Sequence, residues 1–340
     1  MELLCFLRRK IMGIGCLVMA IILGLVSRPF FLKTYQPVDV SSLYVDFDHS
    51  MKVDLYPDIK HSPQGEQLLS IFRQIYNAHN LKMVPVYQEA VIPKIIHIMW
   101  LGGKLPEEYD VFVQSWRRLH PEWTIIFWTD NSLNFNQGSL VLRSFDELAG
   151  LLAIHKGLQS LVMDATSLLF DNKDMYDAAV NYGEKSDILK WEIVYRFGGV
   201  YVDIDFEALK PLDSLHERYD FYTGLQPLDT HMVQLGAALF AARPYHPILQ
   251  ACVTKIRDNK DIKQIIVKTG PIHFTRCFLM TACQGGNKDI AFPASYFYPC
   301  DYEQKGLPAN QWLKPESFAV HHWAGSWLKQ EAFVPQIMQG

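Results

Sequence analysis

Apolar and polar positions alternate in blocks of helical and strand period along most of this chain. Leu68, Leu69, Phe72, Ile75 and Tyr76 recur every three or four positions, which predicts one buried face of a helix over 64–79. After Pro85 short apolar runs alternate with amphipathic ones. Strands are predicted over 94–100, 123–129, 200–204, 236–242 and 319–322, and helices over 107–119, 185–197 and 247–257. Ser144-Phe145-Asp146-Glu147 has the form of a capping box that opens a further helix. Such alternation predicts an α/β domain with a mostly parallel central sheet, and ligands at the carboxyl ends of its strands. Trp100, Asp130 and Asp203 fall at predicted strand ends.

The run KSDILKWEIVYRFGGVYVDID, over 185–205, joins such a helix to such a strand through Gly198-Gly199. Ser186 is the expected N-cap and Gly198 the expected C-cap glycine. The strand delivers Asp203 and Asp205, two residues apart and therefore on one face. Two carboxylates so placed repel unless a cation lies between them, and hard divalent ions such as Mg²⁺ or Mn²⁺ favour oxygen ligands and substrate phosphates. The triplet alone is weak evidence, since about one arises by chance in a chain of this length. Asp46-Phe47-Asp48 is a second copy with no helix or diglycine before it, and reads as surface. Asp187 and Lys190 share a helical face with Trp191, Val194 and Tyr195, and form either an ordinary surface ion pair or a pair turned toward a ligand.

Composition narrows the classes. The 340 residues are 49% hydrophobic, enough for one large core or two small ones, and the net charge of −4 gives no footprint for nucleic acid. Ile11 to Val26 is an unbroken apolar stretch of 16 residues preceded by Arg8-Arg9-Lys10. It predicts a single-pass signal anchor with the N-terminus in the cytoplasm, preferred over a cleaved signal because no A-x-A-like site follows. Cys5 and Cys16 lie in or beside it. Cys252, Cys277, Cys283 and Cys300 lie late in the chain, match no zinc spacing and would suit one or two disulfides in an oxidising compartment. No N-x-[ST] sequon occurs. Phosphate loops of the GxGxxG or Walker type are also absent.

The segment SDILKWEIVYRFGGVYVDIDFEALKPL resembles the core of the DXD-containing glycosyltransferases. It is most similar to the group of initiating α-1,6-mannosyltransferases and inositol-phosphoceramide mannosyltransferases, related to α-1,4-galactosyltransferases and glucosylating toxins. Ile92-Pro93-Lys94-Ile95-Ile96-His97 with Met99-Trp100-Leu101-Gly102-Gly103, then Thr269-Gly270-Pro271, then His321-His322-Trp323-Ala324-Gly325-Ser326-Trp327 resemble further motifs in the family's order. The resemblance implies a GT-A-like nucleotide-sugar fold over 91–330, after a tail and anchor over 1–28 and a stem with helical lead-in over 29–90, and before a tail over 331–340.

It also implies roles. Asp203 and Asp205 with His322 would hold Mn²⁺ or Mg²⁺, and Asp203, Asp205 and Asp187 would be the catalytic set. Trp100, Leu101, Gly102, Asp187, Lys190, Tyr201, Ser326 and Trp327 would bind the donor, the last two as a lid. The implied activity is retaining transfer of a hexose, mannose from GDP-mannose first among the donors, to a glycan or glycolipid acceptor at a membrane. That membrane would be the Golgi or another secretory one in a eukaryote, the inner membrane in a bacterium. A UDP-sugar donor (galactose, glucose or N-acetylglucosamine) is the near alternative, and a non-catalytic glycan- or lipid-binding protein keeping the fold is the distant one. A hydrolase fits less well, because glycosidase carboxylates flank the scissile bond about 5–9.5 Å apart and usually come from different strands. Two departures stand out: position 190 is lysine where arginine is frequent, losing the bidentate fork, and Ala237 stands where an asparagine is frequent.

Overall fold

Among the described residues the strands are β1 (Ile95–Trp100), β2 (Thr124–Thr129), β3 (Leu140–Leu142), β4 (Leu161–Asp164), β5 (Gly199–Val202), β6 (Phe206–Ala208), β7 (Phe221–Leu225), β8 (Leu235–Ala242), β9 (Asp289–Phe292) and β10 (Ala319–His321). The longer helices are α1 (Pro63–His79), α2 (Asp110–Leu119), α3 (Phe145–Ile154), α4 (Tyr182–Phe197), α5 (Pro247–Lys255) and α6 (Pro271–Thr281). This computed structural model describes residues 40–87, 89–131, 140–302 and 304–326. Eight strands form one sheet in the order β3-β4-β2-β1-β5-β8-β7-β9, and β6 pairs with β10 in a second, two-stranded sheet.

The large sheet is parallel throughout except at β8, which runs against both β5 and β7. Helices cover its faces, so its strands other than the edge strand β3 are apolar and buried on both sides, as Val200, Tyr201 and Val202 are. From β1 the chain goes to β2 on one side, while β5 pairs on the other. The carboxyl ends of β1 and β5 therefore diverge into a crevice, the place where open α/β sheets take their ligands. Because β8 is reversed, its amino end reaches the same edge.

The diglycine turn is fixed by contacts that only glycine allows. Gly199 has φ +92°, and a Cβ there would stand 2.6 Å from the Ile95 carbonyl oxygen. His97, fully buried in β1, braces the turn. Its Nε2–H donates to the Gly198 carbonyl at 2.9 Å while Nδ1 accepts from the Trp128 indole at 3.2 Å. Burial pushes its pKa down to about 4, so the ring is neutral and serves the fold.

Several elements match the sequence reading: α1, the α3 capping box, β1, β2, β5 and β10 lie within a residue or two of their predicted bounds. α4 differs at its start. It begins at Tyr182, capped by Asn181, whose side chain accepts from the amides of Gly183 and Glu184. Ser186 is therefore inside the helix and not its cap, and its hydroxyl donates to Met99 Sδ at 3.2 Å and lies 3.4 Å from the Tyr201 hydroxyl. Residues 40–60, expected as stem, form short helical turns that bury Phe47, Met51 and Val53 in the main core. They are tied there by Ser50 Oγ to Ser295 Oγ at 2.6 Å and by the Tyr296 hydroxyl donating to the Leu43 carbonyl at 2.8 Å. Asp46 caps the helix Phe47–Met51 and Asp48 pairs with Arg73, so the first D-x-D serves structure. Among the described residues no helix is long and apolar enough to cross a membrane, and the expected anchor over 11–26 lies outside them.

Candidate active site

A cavity of about 540 Å³ opens at the carboxyl ends of β1 and β5. Its wall includes Trp100, Leu101 and Gly102 after β1, Asp187 and Lys190 from α4, Tyr201, Asp203 and Asp205 from β5 onward, and Ser326 from the C-terminal segment. Nearly every residue singled out in the sequence thus faces one space. The exceptions are His322, which points elsewhere, and Trp327, which lies outside the described residues.

The loop after β1 is held by an interaction that the sequence did not flag. Asp130, at the end of β2, accepts from the Gly102 amide with both carboxylate oxygens, at 3.0 and 3.1 Å. Gly102 has φ +90°, and a Cβ there would enter the Tyr182 ring at 2.5 Å. Trp100 packs against Tyr109 with ring centroids 5.3 Å apart, and its buried indole Nε1–H has no partner among the described residues. A buried donor left unpaired costs roughly 1–3 kcal/mol, so this edge of the cavity is built to meet an acceptor atom.

Asp187 and Lys190 are a buried pair, 2.5 Å apart and nearly closed to solvent, and not the surface pair that was one reading of their spacing. Asp187 also accepts from the Thr269 hydroxyl at 3.0 Å, which explains the Thr269-Gly270-Pro271 block: the turn opening α6 fixes the carboxylate. Lys190 Nζ sits 5.3 Å from the Tyr201 ring centroid, a contact that favours the cation.

Asp203 and Asp205 follow β5 where the β6–β10 sheet packs beneath them. The Asp203 amide donates to the Ala238 carbonyl at 2.8 Å, and its carboxylate accepts from the Tyr201 hydroxyl at 2.8 Å. Tyr201 therefore positions Asp203, and the donor contact expected of Tyr201 would, through its hydroxyl, compete with that bond. The pair across β6 and β10 sets Phe206 opposite His321, which brings the His321 Nε2 to 3.2 Å from Asp205 Oδ1. The second Asp205 oxygen accepts from the Ala324 amide at 2.7 Å. Ligand atoms of Asp203, Asp205 and His321 all lie within 4.8 Å of one another.

The two aspartates are electrostatically unequal. Burial pushes the Asp203 carboxyl up, with Lys190 opposing and the Asp205 charge adding to the rise. Burial acts the same way on Asp205, but the His321 charge, its hydrogen bond and the Ala324 amide outweigh it and hold Asp205 at about 2. His321 is raised, because the carboxylates outweigh its burial. Two oxygens and an imidazole at this spacing, with His321 Nδ1 buried and unpaired among the described residues, fit a divalent cation such as Mn²⁺.

His322 does not join them, contrary to the sequence expectation. On a strand neighbouring side chains point to opposite faces, and His321 takes the inner one. His322 stacks on Phe112 at 4.5 Å and pairs with Glu207 at 3.0 Å. His321→Ala is accordingly expected to weaken Mn²⁺ affinity by about tenfold or more, and His322→Ala to leave it unchanged, in metal titrations followed by melting temperature. Equal losses in both would reject the assignment. Trp323, which sequence reasoning passed over, occupies the wall instead: it has φ +52°, meets His321 edge-on at 4.4 Å and donates its indole N–H to the Cys300 carbonyl at 2.8 Å. Cys252, Cys277, Cys283 and Cys300 are all free thiols.

Residues 106–222, which contain Asp187, Lys190, Asp203 and Asp205, match the protein family described as glycosyltransferase sugar-binding region containing DXD motif. This stretch is a DXD glycosyltransferase region. The chain is also 27% identical over 165 residues to inositol phosphoceramide mannosyltransferase 1 of Schizosaccharomyces pombe, covering 48% of this chain and 42% of that protein. To inositol phosphoceramide mannosyltransferase 2 of the same yeast it is 26% identical over 252 residues, covering 72% and 61%. The chain thus spans less than two thirds of the length of either relative. Among solved structures the PaToxG glycosyltransferase superposes with a TM-score of 0.44 at 18% identity, over 64% of this chain and 78% of that one.

Proposed function

We propose that this DXD region belongs to a metal-dependent retaining glycosyltransferase of GT-A-like fold that moves mannose from GDP-mannose to a glycolipid of the inositol-phosphoceramide type. The observation that carries the reading is the meeting of Asp203, Asp205 and His321 at the floor of the cavity that also holds Asp187, Lys190 and Trp100. Mn²⁺ or Mg²⁺ bound there would supply positive charge against the diphosphate leaving group. The mannosyl donor and lipid acceptor are taken from the relatives' names, and a UDP-sugar remains the near alternative.

Each protein group then has a task. Trp100 stacks on the nucleobase or donates its free N–H to it, and Gly102 lets the backbone approach. Asp187 and Lys190, rigid because each holds the other, orient hydroxyls of the donor sugar. Ser326 and Trp323 narrow the cavity mouth and limit the water that would hydrolyse the donor. The described cavity wall has no carboxylate beyond Asp187, Asp203 and Asp205, and all three are engaged. With no spare base or nucleophile among the described residues of the wall, the acceptor hydroxyl enters on the leaving-group side and passes its proton to the departing phosphate, which retains the anomeric configuration. The apolar stretch over 11–26 is proposed to anchor the enzyme in a secretory or bacterial inner membrane, beside its lipid substrate.

The test is a thermal-shift screen of GDP-mannose and UDP-sugars with and without Mn²⁺. A donor at about a hundred times its Kd is expected to add about 2.7 kcal/mol of stability, and only with metal. No metal-dependent shift with any nucleotide sugar would reject the reading.

A further inference from the structure

Two glutamines form a part of the cavity wall to which no role has been given. Gln226 follows β7 and Gln234 precedes β8, and the Gln226 amide donates to the Gln234 carbonyl at 3.0 Å, which closes the end of the β7–β8 pair. The next residue, Leu235, is fixed as well: its amide donates to the Thr275 hydroxyl of α6 at 2.9 Å. On this rigid frame the Gln234 side chain donates from Nε2 to Gln226 Oε1 at 2.8 Å. With Gln226 turned as it is, Gln234 donates across the pair and its own side-chain oxygen is left over.

What remains is Gln234 Oε1. Gln234 is only 6% exposed, lines the cavity, and this oxygen is buried with no hydrogen-bond partner among the described residues. An acceptor held so costs roughly 1–3 kcal/mol until a donor reaches it. The atom is uncharged and carries lone pairs, and its residue lines a cavity already furnished with cationic and carboxylate groups. Phosphate oxygens would repel it. A hydroxyl suits it.

We propose that Gln234 Oε1 receives a sugar hydroxyl, so that the Gln226–Gln234 amide pair selects the substrate sugar at one carbon. The proposal deepens the nucleotide-sugar reading of this cavity and rests on it. The hydroxyl belongs either to the hexose of the donor or to a sugar or inositol ring of the acceptor. A rigid amide that loses its partner discriminates against a deoxy substrate more sharply than an apolar pocket discriminates for an extra hydroxyl.

The experiment uses the full chain with Mn²⁺. Calorimetry compares GDP-mannose with GDP, and UDP-glucose and UDP-galactose with UDP, for the unaltered protein, Gln234→Leu and Gln234→Glu. If the hydroxyl is the donor's, Gln234→Leu loses about tenfold in affinity for the nucleotide sugar and none for the bare nucleotide. Gln234→Glu keeps an acceptor oxygen of the same reach once the Gln226 amide turns to donate to the carboxylate, and retains most of the affinity, which a merely structural glutamine would not allow. If the hydroxyl is the acceptor's, donor affinity stays level. The side-chain amide resonances of Gln234, assigned by their disappearance in Gln234→Leu, then shift on adding methyl α-mannoside or myo-inositol. Resonances unmoved by every nucleotide sugar, glycoside and inositol overturn the proposal. Failure of the underlying reading looks different: GDP and UDP themselves then give no metal-dependent binding.

Discussion

Asp205→Ala is expected to lower sugar transfer by about 10³-fold while the protein keeps its fold, and to abolish the Mn²⁺-dependent rise in melting temperature produced by the donor. Asp205 is the more firmly ionised of the two DXD carboxylates, held at about 2 against its burial by His321 and by the Ala324 amide. Removing it takes away a full charge at the point where negative charge collects on the leaving diphosphate. A loss of about 4 kcal/mol in transition-state stabilisation corresponds to about 10³ in rate. Asp203→Ala should behave alike. The decisive measurement is transfer or donor hydrolysis at saturating Mn²⁺, with circular dichroism to confirm the fold. An Asp205→Ala protein of full activity would remove the metal site from the mechanism.

The second large effect is on stability. Lys190→Met is expected to destabilise the protein by about 3–5 kcal/mol, because it leaves Asp187 buried opposite no cation. Lys190 also opposes the upward push on Asp203, so its loss makes that carboxyl harder to ionise. Denaturant unfolding reads the stability directly. Asp187→Asn combined with Lys190→Met should recover much of the loss, since the partnerless charge is then gone too. If the double variant is no more stable than the single one, the cost lies in packing against Trp191 and Tyr201 and not in the ion pair.

Much of this site was legible because its chemistry is concentrated in one continuous segment. A helix, a diglycine turn and a strand leave period and turn signals that set Asp187 with Lys190 on one helix face and Asp203 with Asp205 at one strand end, and the family resemblance is what pointed both pairs at a ligand. What was not legible depends on contacts between distant segments. Nothing in the neighbourhood of Asp130 announces that it anchors Gly102, since the bond joins residues 28 apart in the chain. The choice between His321 and His322 turned on the register of β10 against β6, and two adjacent histidines look alike until that register is set. The strands β3, β4, β6, β7 and β9 escaped because they are three to five residues long and, unlike the equally short β5 and β10, have no diglycine turn or family motif beside them to mark them. Residues 40–60 looked like stem because Pro57 and mixed polarity hide the core residues among polar neighbours, and only tertiary packing shows where Phe47, Met51 and Val53 go.

Asp205 has only two oxygens, and one of them is committed to the Ala324 amide. The segment after β10 and the proposed cation site consequently share a single carboxylate. Lifting the terminal segment away, whether to admit a substrate or to discharge a spent nucleotide, would unclasp that oxygen and alter the grip on any bound cation in the same movement. On the proposed reading, opening the vestibule and loosening the ion are one event.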